Sequence, residues 1–121
     1  MANNKPFKVK NGLNAKRYLG KIGSGSFSSP TQTIDLSTGN YFQYSFSAAT
    51  TLAFSNPPET GKALLFNLEL SNSNDTTTWP SSIKWEYGLT PTVYSDKQIF
   101  TFLTVDGGTT YYGKKAGETF S

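Results

Sequence analysis

The alternation of apolar and polar residues over residues 33–46 (TIDLSTGNYFQYSF) constrains the fold more than any other stretch of the chain. A period of two is typical of half-buried β-strands, and it occurs here on both sides of a polar break. Gly39 and Asn40 lie in the break, and both tolerate the backbone of a tight turn. The alternating apolar side chains are Ile34, Leu36, Phe42, Tyr44 and Phe46. We predict a hairpin with one apolar face, which needs a second layer to cover it.

The same alternation recurs along the chain and predicts an all-β protein. Residues 50–54 and 63–71 each place apolar side chains on one face, residues 98–105 place them on both faces, and Asp106 and Gly107 before residues 109–115 are a strong hairpin signal. The count of eight or nine short strands favours an antiparallel β-sandwich or jelly-roll-like domain with an extended N-terminal arm. We expect the core to include Phe42, Tyr44, Phe46, Leu52, Phe54, Leu64, Phe66, Leu68, Phe100 and Phe102.

Composition argues against catalysis. The chain has no cysteine and no histidine, so disulfides, histidine-based triads and the usual zinc sites are excluded. The 8 acidic residues are dispersed along the sequence. A pair of carboxylates that meets across strands, as in a glycosidase, is the catalytic alternative. The sequence therefore predicts a protein that is not an enzyme and has no metal or cofactor.

The N-terminal segment differs from the rest in charge. Six of the 11 cationic residues lie before the first acid, Asp35, although the whole chain has a net charge of only +3. That net charge is too small to indicate a nucleic-acid-binding protein. Residues 23–26 (GSGS) have the composition of a flexible linker. We predict an arm and linker over residues 1–30 and a β domain over residues 31–121.

The arm combines charges with apolar side chains, and we predict that it docks the domain to an acidic protein surface. A tail without a docking role is the alternative, since chain termini are commonly disordered. The predicted docking residues are Phe7, Lys8, Val9, Lys10, Leu13, Lys16, Arg17, Tyr18 and Leu19. The first residues lack the apolar region of a signal peptide, and no run is long enough to span a membrane. We therefore expect a soluble protein made in a cytoplasm, without membrane contact.

Two groups of side chains are candidates for recognition. Both faces of residues 98–105 are apolar, which predicts an oligomer interface because one face is left to be covered by another chain. The predicted interface residues are Ile99, Thr101, Leu103, Val105 and Tyr111. The second group, Trp79, Trp85 and Tyr87, has the side chains that stack on sugar rings. The alternative is that both tryptophans fill one end of the core.

Five motifs, in order, resemble a small β-rich structural module of tailed-bacteriophage virions, of the tail-fibre or head-decoration type. Such modules occur in phages of aquatic bacteria and cyanobacteria. The resemblance spans nearly the whole chain. The motifs are residues 7–13 (FKVKNGL), 34–42 (IDLSTGNYF), 54–58 (FSNPP), 79–85 (WPSSIKW) and 106–113 (DGGTTYYG).

The resemblance implies a non-enzymatic structural role in the virion, after synthesis in a host bacterial cytoplasm. In such proteins the module often ends a longer fibre, whereas this chain is barely longer than the module, which favours a capsid decoration or short tail component. The implied partners are other capsid or tail proteins and further copies of the chain, most commonly in a trimer. The alternative function is a fibre tip that binds a receptor or host surface glycan through the loop aromatics.

Overall fold

A computed structural model of the protein describes residues 21–27, 31–46, 49–71 and 77–120, and within this part the regular structure is β-strand with two single 3-10 turns. The all-β prediction is therefore confirmed. The strands are β1 (Ile22–Phe27), β2 (Thr31–Asp35), β3 (Tyr41–Phe46), β4 (Thr50–Ser55), β5 (Leu64–Ser71), β6 (Thr77–Thr78), β7 (Ile83–Trp85), β8 (Lys97–Thr104) and β9 (Tyr111–Phe120). The 3-10 turns are Leu36–Thr38 and Glu86–Gly88.

The strands form two sheets, and the first six strands alternate between them. Sheet A has six strands in the order β1-β3-β5-β8-β9-β7, and sheet B has three in the order β2-β4-β6. Within the first half of the chain all pairings are parallel: β1 with β3, β3 with β5, β2 with β4 and β4 with β6. The chain thus runs through three successive coils, each with one strand in sheet A and one in sheet B.

The prediction of an antiparallel arrangement is wrong for most of the fold, because the sheets are mixed and the antiparallel pairs are confined to β5, β8 and β9. β8 pairs antiparallel with β5 on one side and with β9 on the other, whereas the edge strand β7 is parallel to β9. The predicted hairpin at Asp106 is confirmed by this pairing. Gly107 and Gly108 in its turn have φ of 70° and 82°, a conformation that suits glycine. The Asp106 carboxylate accepts a hydrogen bond from the Thr110 N–H at 2.9 Å, which fixes the turn.

The hairpin predicted over residues 33–46 is wrong. Ile34 lies in β2 of sheet B and pairs with Phe54, whereas Phe42 lies in β3 of sheet A and pairs with Leu68. The turn at Gly39 carries the chain from one sheet to the other. Hairpins and such inter-sheet connections have the same alternation and the same polar break, so the pattern identified the strands and their faces but not their partners.

One hydrophobic core lies between the sheets, and the predicted core is largely confirmed. Phe42, Leu52, Phe66, Leu68, Phe100 and Phe102 are buried, and Tyr44, Phe54 and Leu64 pack against them. The side chain of Phe46 lies outside the described residues. The buried residues that the prediction omitted are Ile34, Leu36, Leu70, Ile83 and Tyr111. The rings of Phe54 in sheet B and Phe66 in sheet A are 5.2 Å apart, so aromatic contacts join the two layers.

The glycine-serine segment predicted to be a linker is instead the edge strand β1, so these residues belong to the β domain, which was predicted to begin at residue 31. Gly23 pairs with Phe42 and Gly25 with Tyr44. A Cβ on Gly23 would lie 2.7 Å from the Phe42 ring, and one on Gly25 would lie 3.1 Å from the Tyr44 ring. Glycine therefore occupies the positions of β1 above large rings of β3, and Ser24 lies on the opposite face.

We predict that Gly23→Ala destabilises the protein, because the buried Phe42 ring cannot move away without disturbing the core. The expected loss in the free energy of unfolding is about 1–3 kcal/mol, as for other overpacked sites. Ser24→Ala, one residue away on the exposed side of the same strand, should change it by less than about 0.5 kcal/mol. Chemical denaturation of both variants measures the difference. Equal stabilities would show that β1 is not held against β3 as described.

Candidate binding face

The outer face of sheet A, which is turned away from the core, contains most of the predicted interface. In β8 the side chains of Gln98, Phe100, Phe102 and Thr104 are buried on the inner face. Ile99, Thr101 and Leu103 alternate with them and are half-buried on the outer face. Val105 follows the end of β8 and is 43% exposed. Ile99, Thr101, Leu103 and Val105 therefore lie on or beside the outer face of sheet A, as predicted for neighbours in one interface.

Tyr111 is the exception, and its assignment to the interface is wrong. It is only 3% exposed, and its ring centroid lies 4.9 Å from that of Phe54 in sheet B. The register of β8 with β9 pairs Phe102 with Gly113 and Leu103 with Tyr112, so Tyr112 is the residue that faces outward. The turn between the strands sets this register, and the alternation within β9 alone does not.

An apolar row crosses the outer face where three strands meet. Leu65 of β5 pairs with Leu103 of β8, and Leu103 pairs with Tyr112 of β9. Leu65 is 59% exposed and Tyr112 is 55% exposed, which is unusual for large apolar side chains in the middle of a sheet. Neither residue was predicted as a site, because their contact depends on the pairing of strands far apart in sequence.

This row forms the floor of an open groove of about 600 Å³. Trp85 and Phe102 also line it, and the charged residues around it are Lys84, Glu86 and Lys114. Lys84 is next to Tyr112 in the register of β7 with β9, and Lys114 is next to Thr101. Lys84, Glu86 and Lys114 form no ion pair with any residue in the described part of the chain. The groove therefore has an apolar floor, and the charged side chains around it form no ion pair with a described residue.

The other half of the outer face is polar and is organised by Glu69 of β5. Its carboxylate accepts hydrogen bonds from the Tyr41 hydroxyl at 2.8 Å and from the Gln43 amide at 3.4 Å, and Lys97 Nζ lies 3.8 Å away. A shallow depression of about 400 Å³ lies here, lined mainly by serine, Gln43 and Glu69 side chains. The polar side chains in this half of the face therefore bond to one another, whereas Leu65 and Tyr112 of the apolar row are exposed to solvent.

The three aromatic residues predicted to bind a ligand do not form one exposed platform. Trp79 and Trp85 are half-buried, with ring centroids 5.1 Å apart in an edge-on arrangement. Both pack on the core, since Trp79 lies 5.0 Å from Phe100 and Trp85 lies 5.7 Å from Phe102. The arrangement agrees with the alternative in which the tryptophans close one end of the core. Trp85 keeps one edge in the groove.

Tyr87 differs from the two tryptophans because it is 90% exposed. It lies in the second 3-10 turn with φ of 58°, in the left-handed region, and Gly88 follows with φ of 71°. The turn is closed by the Leu89 N–H, which donates to the Glu86 carbonyl at 3.2 Å. A left-handed conformation costs a residue with a side chain about 1–2 kcal/mol. Because Tyr87 is so exposed, packing against the described residues offsets little of the cost of its left-handed conformation.

The predicted docking residues of the arm lie outside the described residues, so the docking prediction is untested. Within the described part of the chain, no cluster of three or more acidic residues is arranged to hold a metal ion. No helix in that part is long and apolar enough to cross a membrane.

Comparison with known proteins places the chain in no family. A scan against protein-family models, a search of curated proteins and a search of solved structures each found no match. The resemblance to phage virion modules therefore stays a prediction from the sequence motifs.

We predict that Glu69 contributes to the raised pKa of Tyr41. Burial, then the hydrogen bond to Glu69 and the charge of that carboxylate, raises the pKa of Tyr41 from 10.0 to about 12. The folded state holds the phenol proton more tightly than the unfolded state, so this stability is present below pH 10 and is lost as the pH rises towards 12. Glu69→Gln should lower the pKa of Tyr41 while leaving it above 10.0, because burial persists.

The phenolate absorbance of Tyr41 is isolated by subtracting the titration of Tyr41→Phe from that of the parent chain. The same subtraction in the Glu69→Gln background gives the shifted value. Glu59→Gln is the matched control, since Glu59 is paired with Lys62 elsewhere on the surface. Identical Tyr41 titrations with and without Glu69 would contradict the assignment.

Proposed function

We propose that the chain is a non-enzymatic structural protein of a tailed-phage virion, a surface-attached β domain of the capsid-decoration or short tail type. The observation that carries the proposal is the exposed apolar row formed by Leu65, Leu103 and Tyr112 on the outer face of sheet A. A soluble monomer gains nothing from such a row, whereas a protein that assembles into a particle buries it. The sequence motifs supply the virion context.

The carboxylates support a role without catalysis. A general acid at neutral pH needs a raised pKa. Hydrogen bonds from the Ser37 and Asn56 side chains lower the pKa of Asp35, and the backbone N–H of Thr110 is the main cause of a lowered pKa at Asp106. Both groups therefore stabilise turns as carboxylates and are poorly suited to donate protons.

We further propose that the two packed sheets belong to the β-sandwich class, with parallel coils in the first half in place of an antiparallel jelly roll. The short distances between Phe54 of sheet B and the rings of Phe66 and Phe102 in sheet A support this assignment, at 5.2 and 5.5 Å. In this arrangement sheet B occupies the inner face of sheet A, and among the described residues Leu65 and Tyr112 stay exposed on the outer face.

Recognition of a host glycan by loop aromatics is the second candidate. The exposed ring of Tyr87 favours it. The packing of Trp79 and Trp85 on Phe100 and Phe102 weighs against it, because those faces are engaged with the core. Binding of the recombinant chain to glycans extracted from host cells, lost in Tyr87→Ala, would favour this candidate over the first.

We predict that the full chain is a homotrimer at tens of micromolar, with the outer face of sheet A in the interface. Light scattering should give three times the chain mass of 13.2 kDa. Leu103→Asp should reduce the mass to that of one chain, since a buried unpaired carboxylate is strongly unfavourable. Thr51→Asp, which lies on the exposed face of β4 in sheet B, is the control and should leave the trimer intact. A monomeric parent chain would contradict the assembly proposal.

We predict that the basic arm attaches the trimer to the particle. Replacing Lys8, Lys10, Lys16 and Arg17 by serine should slow attachment to particles that lack the protein, most strongly at low salt, because the cations steer the encounter. The trimer mass should not change. Lys62→Ser, which removes a positive charge outside both the arm and the groove, is the control for lost positive charge. Unchanged attachment rates in the arm variant would show that the arm is a tail without a docking role.

A further inference from the structure

The turn formed by residues 86–89 presents two large apolar side chains to solvent. Tyr87 is 90% exposed and Leu89 is 73% exposed. The conformation is defined, since a hydrogen bond from Leu89 to Glu86 closes the turn and two consecutive residues have left-handed φ. Strained residues of this kind are concentrated at functional sites, where a partner compensates the cost. The 86–89 turn therefore has the features of a binding element, and in the described part of the chain its Tyr87 and Leu89 side chains stay exposed.

The groove on the outer face has the complementary features. Its floor is the apolar row of Leu65, Leu103 and Tyr112, and its volume of about 600 Å³ is that of a site for a group larger than one methyl or one water. Lys84 and Lys114 add positive charge at the groove, and neither forms an ion pair with a described residue. Glu86 of the same chain also lines the groove, so two lysines and one carboxylate leave a net charge of +1 there, and an apolar group accompanied by one carboxylate fits this site. Tyr87 with the adjacent Glu86 is such a group.

We propose that the 86–89 turn of one copy of the chain binds in the groove of a second copy. Tyr87 and Leu89 pack on the apolar row, and Glu86 approaches Lys84 and Lys114 of the neighbouring copy. The inference rests on the proposed function, because it names the parts of the chain that meet in the homo-oligomer.

The geometry favours a second copy over the chain's own turn. Trp85 and Glu86 line the groove, but Tyr87 is not among its lining residues and is nearly fully exposed. Leu89 lies with Glu86 and Lys114 around a smaller depression of about 150 Å³, so the turn lies beside the groove, but the Tyr87 ring does not fill it. Since the ring that binds lies outside the groove that receives it, the contact is head-to-tail, and such a contact closes into a ring when the rotation between copies allows it. Three copies give the proposed trimer.

A complementation experiment with full-length chains tests the proposal. Tyr87→Ala removes the inserted ring but keeps the groove. Leu65→Glu keeps the turn but places a carboxylate in the groove, where it repels the incoming Glu86. Each variant alone should have the mass of one chain by light scattering at the same concentration as the parent. An equimolar mixture should contain complexes of twice the chain mass, because the turn of Leu65→Glu still fits the groove of Tyr87→Ala and the chain of contacts stops there.

Three further variants are controls. Tyr87→Phe keeps the ring and should keep the trimer. Phe120→Ala removes an equally large exposed ring at the far end of β9, and Thr51→Glu adds the same charge on the exposed face of β4 in sheet B. Both should assemble as the parent does. Circular dichroism and thermal unfolding identify any variant that fails to fold.

The outcomes separate this inference from the proposal on which it rests. A monomeric parent chain overturns both the proposed self-assembly and the inserted turn. A trimeric parent with an equally trimeric Tyr87→Ala variant overturns the inserted turn alone and leaves the assembly proposal standing. Monomeric single variants whose mixture also stays monomeric overturn the pairing of turn and groove.

Discussion

The contact between Phe54 and the rings of sheet A is the interaction on which the rest of the structure depends. Among the described residues sheet B has three strands, one of them two residues long, and so small a sheet has little stability unless it packs on another layer. Phe54 lies within 5.5 Å of Phe66, Phe102 and Tyr111, all of which belong to sheet A. The inner face of sheet A is thereby fixed, and every side chain that alternates with the core residues must face outward.

That constraint explains which parts of the fold could be predicted from the sequence. Alternation with a period of two assigns residues to faces, so Phe42, Leu52 and Phe66 were identified as core residues. It does not identify the neighbour of each strand. The alternation around Gly39 fits a hairpin as well as a connection between sheets. Only the pairing of Ile34 with Phe54, which places β2 in sheet B, distinguishes the two. Tyr111 was assigned to the wrong face for a related reason, because the register of β9 depends on the turn that precedes it.

Composition was misleading where glycine alternates with serine. In a flexible linker the order of these residues is immaterial, whereas in β1 the glycines lie above Phe42 and Tyr44 and the serine between them faces away. The signal that could have identified this strand is the strict alternation itself, which small residues make easy to overlook. The groove was equally hidden, because Leu65, Lys84 and Tyr112 come from three strands and become neighbours only once the order of sheet A is known.

Because the first six strands form three parallel coils, the number of coils can change without changing the part of sheet A that contains the groove. Ile22 pairs with Tyr41 and Thr31 with Thr51, so one coil of the chain adds one strand to each sheet and contacts mainly the coil before it. In arrays of this kind a repeat is a unit that evolution can duplicate or delete without redesigning the remainder. A related chain with an additional coil would be taller by one strand in each sheet, while the antiparallel strands β8 and β9, and the groove beside them, would keep their geometry.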